Sequence, residues 1–370
     1  MSPPRGPADH RRVLAFYLPQ FHPIPENDRW WGPGFTEWAN VTRARPLFPG
    51  HYQPHLPADL GFYDLRVPET RHLQARLAAE HGIDGFVYYH YWFSGRRLLG
   101  RPLDEVLRTG EPDFPFCLCW ANESWTDTWS GAGGANLVTQ SYSAADDRAH
   151  LRFLAEAFAD PRYLRVGDRP LLLVYRASLL PEPRATADRW REEARRLGMA
   201  EPYLARVEAW PQDRGEDPAT IGFDANVEFA PLSAPLGPRL PRSRARRALN
   251  RALHRPAMRA NQVYSYERVV DLALAAAQPA HRRFRGVSPG WDNAARRPGG
   301  DARILHGSTP GAYERWLRGV LAQSVAYGPG EHLVFVNAWN EWAEGNHLEP
   351  DLRWGRAYLE AHRRALGGPA

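Results

Sequence analysis

The sequence predicts an α/β chain folded as a single (β/α)8 TIM barrel with long decorated loops on its C-terminal face. Three observations predict it. Eight short apolar runs recur along the chain with helical patterns between most of them, the alternation of a parallel sheet covered by helices. The length of 370 residues suits one large barrel as well as two average domains, and no GxGxxG opens a helix as a dinucleotide fold requires. Polar and aromatic residues follow the C-terminal end of run after run, and in a barrel those ends converge on one rim.

In chain order, residues 1–12 are expected to form a disordered tail and 13–366 the barrel. Val13 to Leu18 (VLAFYL) is the first strand, ended by Pro19. Gln20 to Asp59 is a long loop rich in Pro, Gly and aromatics. A loop of that length inside a compact domain is expected to be functional, and its His22, Trp30, Trp31, Glu37, Trp38 and Asn40 are candidates for one wall of a site. It also reads as a lid that packs its own aromatics. Pro68 to His81 has helical periodicity, stopped by Gly82. Strand two is Gly85 to His90 and strand three Phe116 to Trp120, with a short helix, Leu103 to Thr109, between them. A helix over Asp146 to Phe158 leads to strand four, Leu171 to Tyr175. Ala185 to Leu197 is a helix with Thr186 or Asp188 as its cap, and strands five and six are Tyr203 to Val207 and Phe223 to Phe229. Residues 231–260 break the rhythm with an Arg- and Pro-rich insertion whose centre, near Ala245 to His254, is helical. Its charge suits phosphate, an anionic glycan or peripheral contact with a membrane, and equally a solvated surface helix. Tyr266 to Ala277 is a helix, Phe284 to Pro289 strand seven, Tyr313 to Tyr327 a helix, Leu333 to Val336 strand eight and Tyr358 to Ala365 the closing helix.

Composition excludes several chemistries. All 47 basic residues are arginine, so neither a lysine Schiff base nor a phosphate-loop lysine is available. The net charge of +5 is mild, and no nucleic-acid partner is expected. Cys117 and Cys119, the two cysteines, share one face of strand three, so they are expected to be reduced core thiols. The N-terminus lacks the apolar stretch of a signal peptide, and no run approaches the roughly 18 apolar residues of a membrane span. A soluble, cytoplasmic protein is expected. His10, His22, His51, His55 and His72 are scattered and most of them are expected at the surface, no grouping has helix-based metal spacing, and no GxSxG elbow is present. No metal or other cofactor is expected.

Strand eight runs straight into NAWNEWAEGNHLEPD, a segment rich in Trp, Asn and Glu, the residue types that stack on sugars and bond to hydroxyls. Glu341 and Glu344 sit three apart. On an extended strand they would oppose each other; on one helical turn they would be neighbours and face one pocket. A solvated acidic loop is the plain alternative. Around them, the other strand ends place Tyr17 and Gln20; His90 and Trp92; Trp120, Asn122 and Glu123; Tyr175; Glu228; Trp291 and Asp292; and Trp339, Asn340 and Trp342 as candidate substrate contacts, with Trp38 from the first loop. Paired carboxylates among stacking aromatics suit glycosidic bond chemistry, in which one carboxyl protonates the leaving oxygen and the other assists the anomeric centre.

The stretches AFYLPQFHPIPENDRWWGPGFTEW, GHYQPHLPADLGFYDLR, GIDGFVYYHYWF, EPDFPFCLCWANESW, FDANVEF, PGWDN and NAWNEWAEGNHLEPD resemble the WbsX-type family of polysaccharide-biosynthesis proteins, from about Val13 to about Arg364. That family is related to glycoside hydrolase family 99, the endo-α-mannosidase-type barrels, which match best at PGWDNAARR and WNEWAEG. The resemblance implies a retaining mechanism in which Glu341 acts as a base on the sugar 2-hydroxyl and Glu344 as general acid and later base, on α-mannoside-like substrates. It also implies sugar contacts at Tyr17, Trp92, Glu123, Tyr175, Asp292 and Arg296. ANESW carries Ser124 where the pattern has a second Asn. The expected partner is an oligosaccharide or polysaccharide. Two other functions stay open: a glycosyltransferase of polysaccharide (O-antigen-type) assembly, which lacks support from any DxD motif or Rossmann domain, and a non-catalytic glycan-binding barrel, which has no need of both carboxylates.

Overall fold

The computed structural model describes residues 11–126, 136–240, 261–298 and 300–368. Eight parallel strands form the barrel: β1 (Arg12–Tyr17), β2 (Gly85–Phe93), β3 (Phe116–Trp120), β4 (Arg169–Val174), β5 (Tyr203–Val207), β6 (Ala225–Val227), β7 (Arg283–Val287) and β8 (Leu333–Val336). Each pairs with the next, and β1 pairs with both β2 and β8, which closes the sheet. Closure is in register, with Arg12 to Ala15 opposite Leu333 to Val336. A parallel strand covered on both faces reads as a continuous apolar run, and FCLCW and LVFV are buried at every position. Inside the barrel Phe16 meets the rings of Phe229 at 5.0 Å, Tyr89 at 5.7 Å and Phe335 at 5.9 Å. Cys117 and Cys119 are free and buried in β3.

The helices are α1 (Pro25–Trp31), α2 (Glu37–Arg43), α3 (Pro68–Glu80), α4 (Arg101–Thr109), α5 (Ala144–Ala159), α6 (Pro183–Arg196), α7 (Tyr266–Ala275), α8 (Pro310–Gln323) and α9 (Ala357–Ala365). Their starts follow local chemistry. Ser143, Ser265 and Thr309 cap α5, α7 and α8 by accepting from the amides of Asp146, Arg268 and Ala312. Helix α6 begins before the expected cap: Pro183 occupies its first turn, where a fixed φ favours initiation, and the Thr186 hydroxyl instead donates to Asp147. Between β5 and β6 the described chain has only two single 3-10 turns, Pro211–Asp213 and Pro218–Ile221.

The first long loop is more regular than expected. It carries α1 and α2, with Pro25 at the start of α1 and acidic residues in the first turn of each helix. Of the expected tail, residues 1–10 lie outside the described residues; Arg12 already belongs to β1, and its guanidinium donates to the carbonyls of Arg165 and Gly330. Of the insertion, residues 241–260 and with them the expected helix lie outside the described residues. Leu240, just before it, donates its amide to the Val263 carbonyl. Val263 belongs to a two-stranded parallel ribbon, Gln262–Ser265 against Arg303–His306, that stands above the barrel. No helix among the described residues is long and apolar enough to cross a membrane.

Candidate active site

The site is built from the end of β8. Beyond Val336 the chain is pinned to its neighbours: the Asn337 amide donates to the Val287 carbonyl and the Trp339 amide to that of Phe16. Asn340 acts as a side-chain strand partner, accepting from the Leu18 amide at 2.7 Å and donating to the Leu18 carbonyl at 3.0 Å. Asn340–Glu341 then pairs antiparallel with Asn346–His347, and the tip of this hairpin, Trp342–Glu344, is one 3-10 turn. Residues three apart eclipse on a 3-10 turn, so Glu341 and Glu344 reach one place. The expected helical turn is present in its tighter form.

Gly345 ends that turn at φ +55, and a Cβ there would lie 2.9 Å from the Asp292 Cβ. Asp292 packs this close because its amide donates to the Glu344 carbonyl at 2.5 Å. The Asp292 carboxylate bonds the His51 ring at 2.6 Å, accepts from Gln53 at 2.8 Å and caps the Ala294 amide at 3.0 Å. That cap starts the 3-10 turn Asn293–Arg296, which delivers Arg296 to the carboxylates.

Arg296 is the hub. Its guanidinium lies 2.9 Å from Glu341, 2.8 Å from Glu344 and 3.1 Å from Glu37. Glu37 is fully buried, and it arrives from the start of α2. Three carboxylates around one cation leave an excess of negative charge in a low-dielectric place, where the neutral acid is favoured. Burial pushes Glu341 up to about 8, with Arg296 opposing and Glu344 and Glu37 adding to the rise. Burial also raises Glu344, again against Arg296. Burial lowers the pKa of Arg296 itself, but Glu37, Glu344 and Glu341 more than reverse this and keep it charged. The two glutamates titrate as one unit that retains a proton near neutrality.

Glu341 and Glu344 open into a cavity of about 810 Å³. Of the expected contacts, Gln20, Glu123, Tyr175, Trp291 and Arg296 line it with them. Glu123 is ion-paired to Arg176, and burial raises its pKa against that pairing. The wall also includes Asn27, Trp31, Tyr89, Tyr91, Trp125 and Trp210.

The other expected contacts stand elsewhere. Tyr17 faces the helix layer, where its hydroxyl donates to Gln74 at 2.7 Å. His90 and Trp92 point to α5: His90 bonds His150 at 3.1 Å, and Trp92 donates to Asp146 at 3.0 Å and stacks on His150. Strand alternation sends their neighbours Tyr89 and Tyr91 to the cavity instead. Asp146 and His150, one helical turn apart on α5, are the sequence signal for that outward parity. Trp120 donates to the Trp92 carbonyl, and Asn122 braces the Arg176 backbone through both its amide atoms. Glu228 is held by Arg285 at 2.7 Å and by the Gly286 amide. Trp38 donates to the Tyr63 carbonyl and packs against Trp342. Trp339 is buried against Phe86. Trp342 stacks on His347 at 3.8 Å and donates to Glu349 at 2.6 Å. Asp292 and Asn340 position the site from behind. The tryptophans beside Glu341 are thus packing, and the cavity-facing aromatics come from β2 and the loops.

The histidines differ from expectation too. His22 and His51 are buried, and His72 is exposed. His55 Nδ1 lies 2.9 Å from His347 Nε2, and with Asp351 the two form a grouping that could hold an ion. The imidazole–imidazole hydrogen bond accounts for that contact without one.

A closed (β/α)8 barrel with paired carboxylates at the floor of an aromatic-walled cavity has the architecture of glycosidase-type barrels. Solved structures share the fold: a glycoside hydrolase-like protein (TM-score 0.62, 14% identity, 100% of this chain and 97% of that one) and the GH99 endo-alpha-mannosidase of Bacteroides thetaiotaomicron (TM-score 0.56, 15% identity, 96% of each). The chain belongs to the family described as Glycosyltransferase WbsX, which matches residues 13–362. It is 49% identical over 362 residues to the uncharacterized protein WxcX of Xanthomonas campestris pv. campestris, in strains ATCC 33913 and B100. That match covers 96% of this chain and 49% of the relative, so the chain spans about half the length of the curated relatives it matches. Fold and family point to glycosidic-bond chemistry.

Proposed function

We propose that the chain is a retaining enzyme of glycosidic bonds, acting on α-mannoside-like linkages of a polysaccharide through participation of the sugar's 2-hydroxyl. The observation that carries this reading is the placement of Glu341 and Glu344 on one hairpin, both bonded to Arg296 and both open to the cavity. With the proton that the pair retains lying on Glu344, Glu341 takes the proton of the 2-hydroxyl, whose oxygen forms a bond to the anomeric carbon. Glu344 gives its proton to the leaving oxygen as that bond breaks, and an anhydro-sugar results. Glu344 then deprotonates the incoming hydroxyl while Glu341 returns its proton to the 2-oxygen. At each step one glutamate gains a proton as the other loses one. The pair's charge beside Arg296 therefore stays constant, which suits two acids that share a proton and one counter-ion. A cytoplasmic location accompanies this reading, motivated by two free, buried thiols.

A second reading, a glycosyltransferase that uses the same pair with a sugar as acceptor, is favoured by the description of the family. The deciding experiment incubates the protein with α-mannosyl oligosaccharides and, separately, with sugar nucleotides plus acceptor. The Glu341→Gln and Glu344→Gln variants are controls. Hydrolysis that both substitutions abolish supports the first reading. Product formed only from sugar nucleotide moves the assignment to transfer, and full activity in Glu344→Gln removes it as the acid.

A further inference from the structure

Arginine supplies every basic charge in this chain, and on the later barrel strands it is paired with carboxylates. Arg283 meets Glu208 at 2.6 Å, Arg285 meets Glu228 at 2.7 Å and Arg169 meets Asp224 at 2.8 Å. Three arginines on the cavity wall break that pattern. Arg214 follows the 3-10 turn between β5 and β6, Arg297 follows Arg296, and Arg303 opens the second strand of the ribbon. All three line the cavity that holds Glu341 and Glu344.

Among the described residues, none of the three has a carboxylate within the 4.0 Å of an ion pair. The Arg214 guanidinium donates only to the carbonyls of Ala209 and Leu232. Its Nε, and that of Arg303, are shut off from solvent without a hydrogen-bond partner. Burial lowers the pKa of Arg214, with Glu208 opposing and the charges of Arg303 and Arg283 adding to the fall, so Arg214 and Arg303 stand close enough to repel. Arg297 is near enough to Glu344 to act on its titration. Asp301 shares the wall, but its carboxylate accepts from Gln262 at 3.3 Å. Arg214 and Arg303, half-buried and close enough to repel, carry a desolvation and repulsion cost that a bound anion relieves.

We infer that Arg214, Arg297 and Arg303 form a subsite for an oxyanion carried by the substrate, adjoining the catalytic pair. The inference rests on the cavity being the glycan site, and it narrows the substrate class from neutral mannosides to charged ones. A guanidinium fork accepts a carboxylate or a phosphate alike. The oxyanion therefore comes either from the glycan, as a uronic acid or a sugar phosphate, or from the diphosphate of an activated sugar carrier.

Calorimetric titration of the full chain, in a Glu341→Gln background to prevent turnover, separates these. Its probes are neutral α-mannobiose, the matching mannuronic acid disaccharide and GDP-mannose. An anionic probe is expected to bind at least about tenfold more tightly than mannobiose, with the advantage shrinking as salt is added. Preference for the disaccharide assigns the charge to the glycan, and preference for GDP-mannose assigns it to the carrier. Arg303→Gln and Arg297→Gln are expected to reduce the advantage and Arg303→Lys to retain part of it; Arg297 is exposed, so its substitution leaves folding intact. Equal affinity for all three probes, or a preference that survives both glutamine substitutions, overturns the inference. Turnover of neutral mannosides without any anion preference removes the subsite and keeps the reaction. Anion preference without turnover of any glycan keeps the subsite and removes the reaction.

Discussion

Arg296 carries the electrostatics of the site, because three carboxylates depend on it. Its loss removes the main opposition to the burial that already raises Glu341 and Glu344, with Arg297 left acting on Glu344. Arg296→Gln is expected to lower kcat by about 10²–10³-fold, the range for removing one preorganised stabilising group. Both limbs of the pH–rate profile should move to higher pH, since each acid then holds its proton longer. A purely structural role would lower activity without moving the limbs. At this scale the sequence is least legible. Glu341 and Glu344 are found by their spacing, but Arg296 is one of two adjacent arginines in a loop and enters only through the family resemblance. Glu37 reads from sequence only as part of a loop; its partner lies 259 positions away, and no local pattern reports that.

The hairpin Asn340–His347 is the element that turns a spacing into a site. Its tip is fixed by Gly345, which meets two demands, a positive φ and closeness to Asp292. Gly345→Ala is expected to destabilise the fold by about 1–3 kcal/mol and to displace Glu344, with activity falling alongside. Asn tolerates the left-handed region but brings the same Cβ, so Gly345→Asn should do no better. Denaturant titration of the two variants separates conformational cost from crowding: a clear rescue by Asn would show that the contact with Asp292 does not matter. Elements themselves were largely legible. All eight strands and the helices that cover them follow from apolar runs and periodicity, since burial on both faces leaves a strong signal. Helices α1 and α2 were missed because, at seven residues each, they are too short for periodicity to show. The facing of β2 was missed because GFVYYHYWF is buried throughout. Alternation is visible only when one face is polar, so nothing in that run distinguishes Tyr89 and Tyr91 from His90 and Trp92.

The whole molecule buries titratable groups of two opposed kinds. Burial lowers His55, His150 and His347 and takes His90 and His362 down to about 3. Between those lowered values and the ordinary 6.5 the unfolded chain binds more protons, so stability is lost as pH falls below about 6.5. Burial raises Glu341 to about 8 and Glu349 to about 7, the latter against hydrogen bonds from Gln74, Trp342 and Tyr63. Between the ordinary value near 4.5 and these raised ones the folded chain binds more protons, so their stabilisation falls as pH rises from about 4.5 and is gone above about 8; the histidines outweigh this loss below 6.5, and above it the loss stands alone. Unfolding midpoints are expected to peak near pH 6.5. Glu341→Gln should flatten the alkaline side and steepen the acid side between about pH 4.5 and 6.5, where the glutamate opposes the histidines. A midpoint as steep above pH 7 in that variant as in the parent would count against the charge-crowded centre.

The bond between Asn340 and Leu18 spans 322 positions, and it holds the hairpin that carries Glu341 and Glu344 to the end of β1, across the closure of the barrel. The machinery therefore sits on the seam where the cylinder is sewn shut. Contacts of such range are among the last to form in folding, since the entropy of closing so long a loop must be overcome first. A barrel whose last strand has not docked therefore lacks the bonds that anchor this hairpin. On the proposed reading, activity is expected to return during refolding only when the last strand docks beside the first, so its recovery would report ring closure itself.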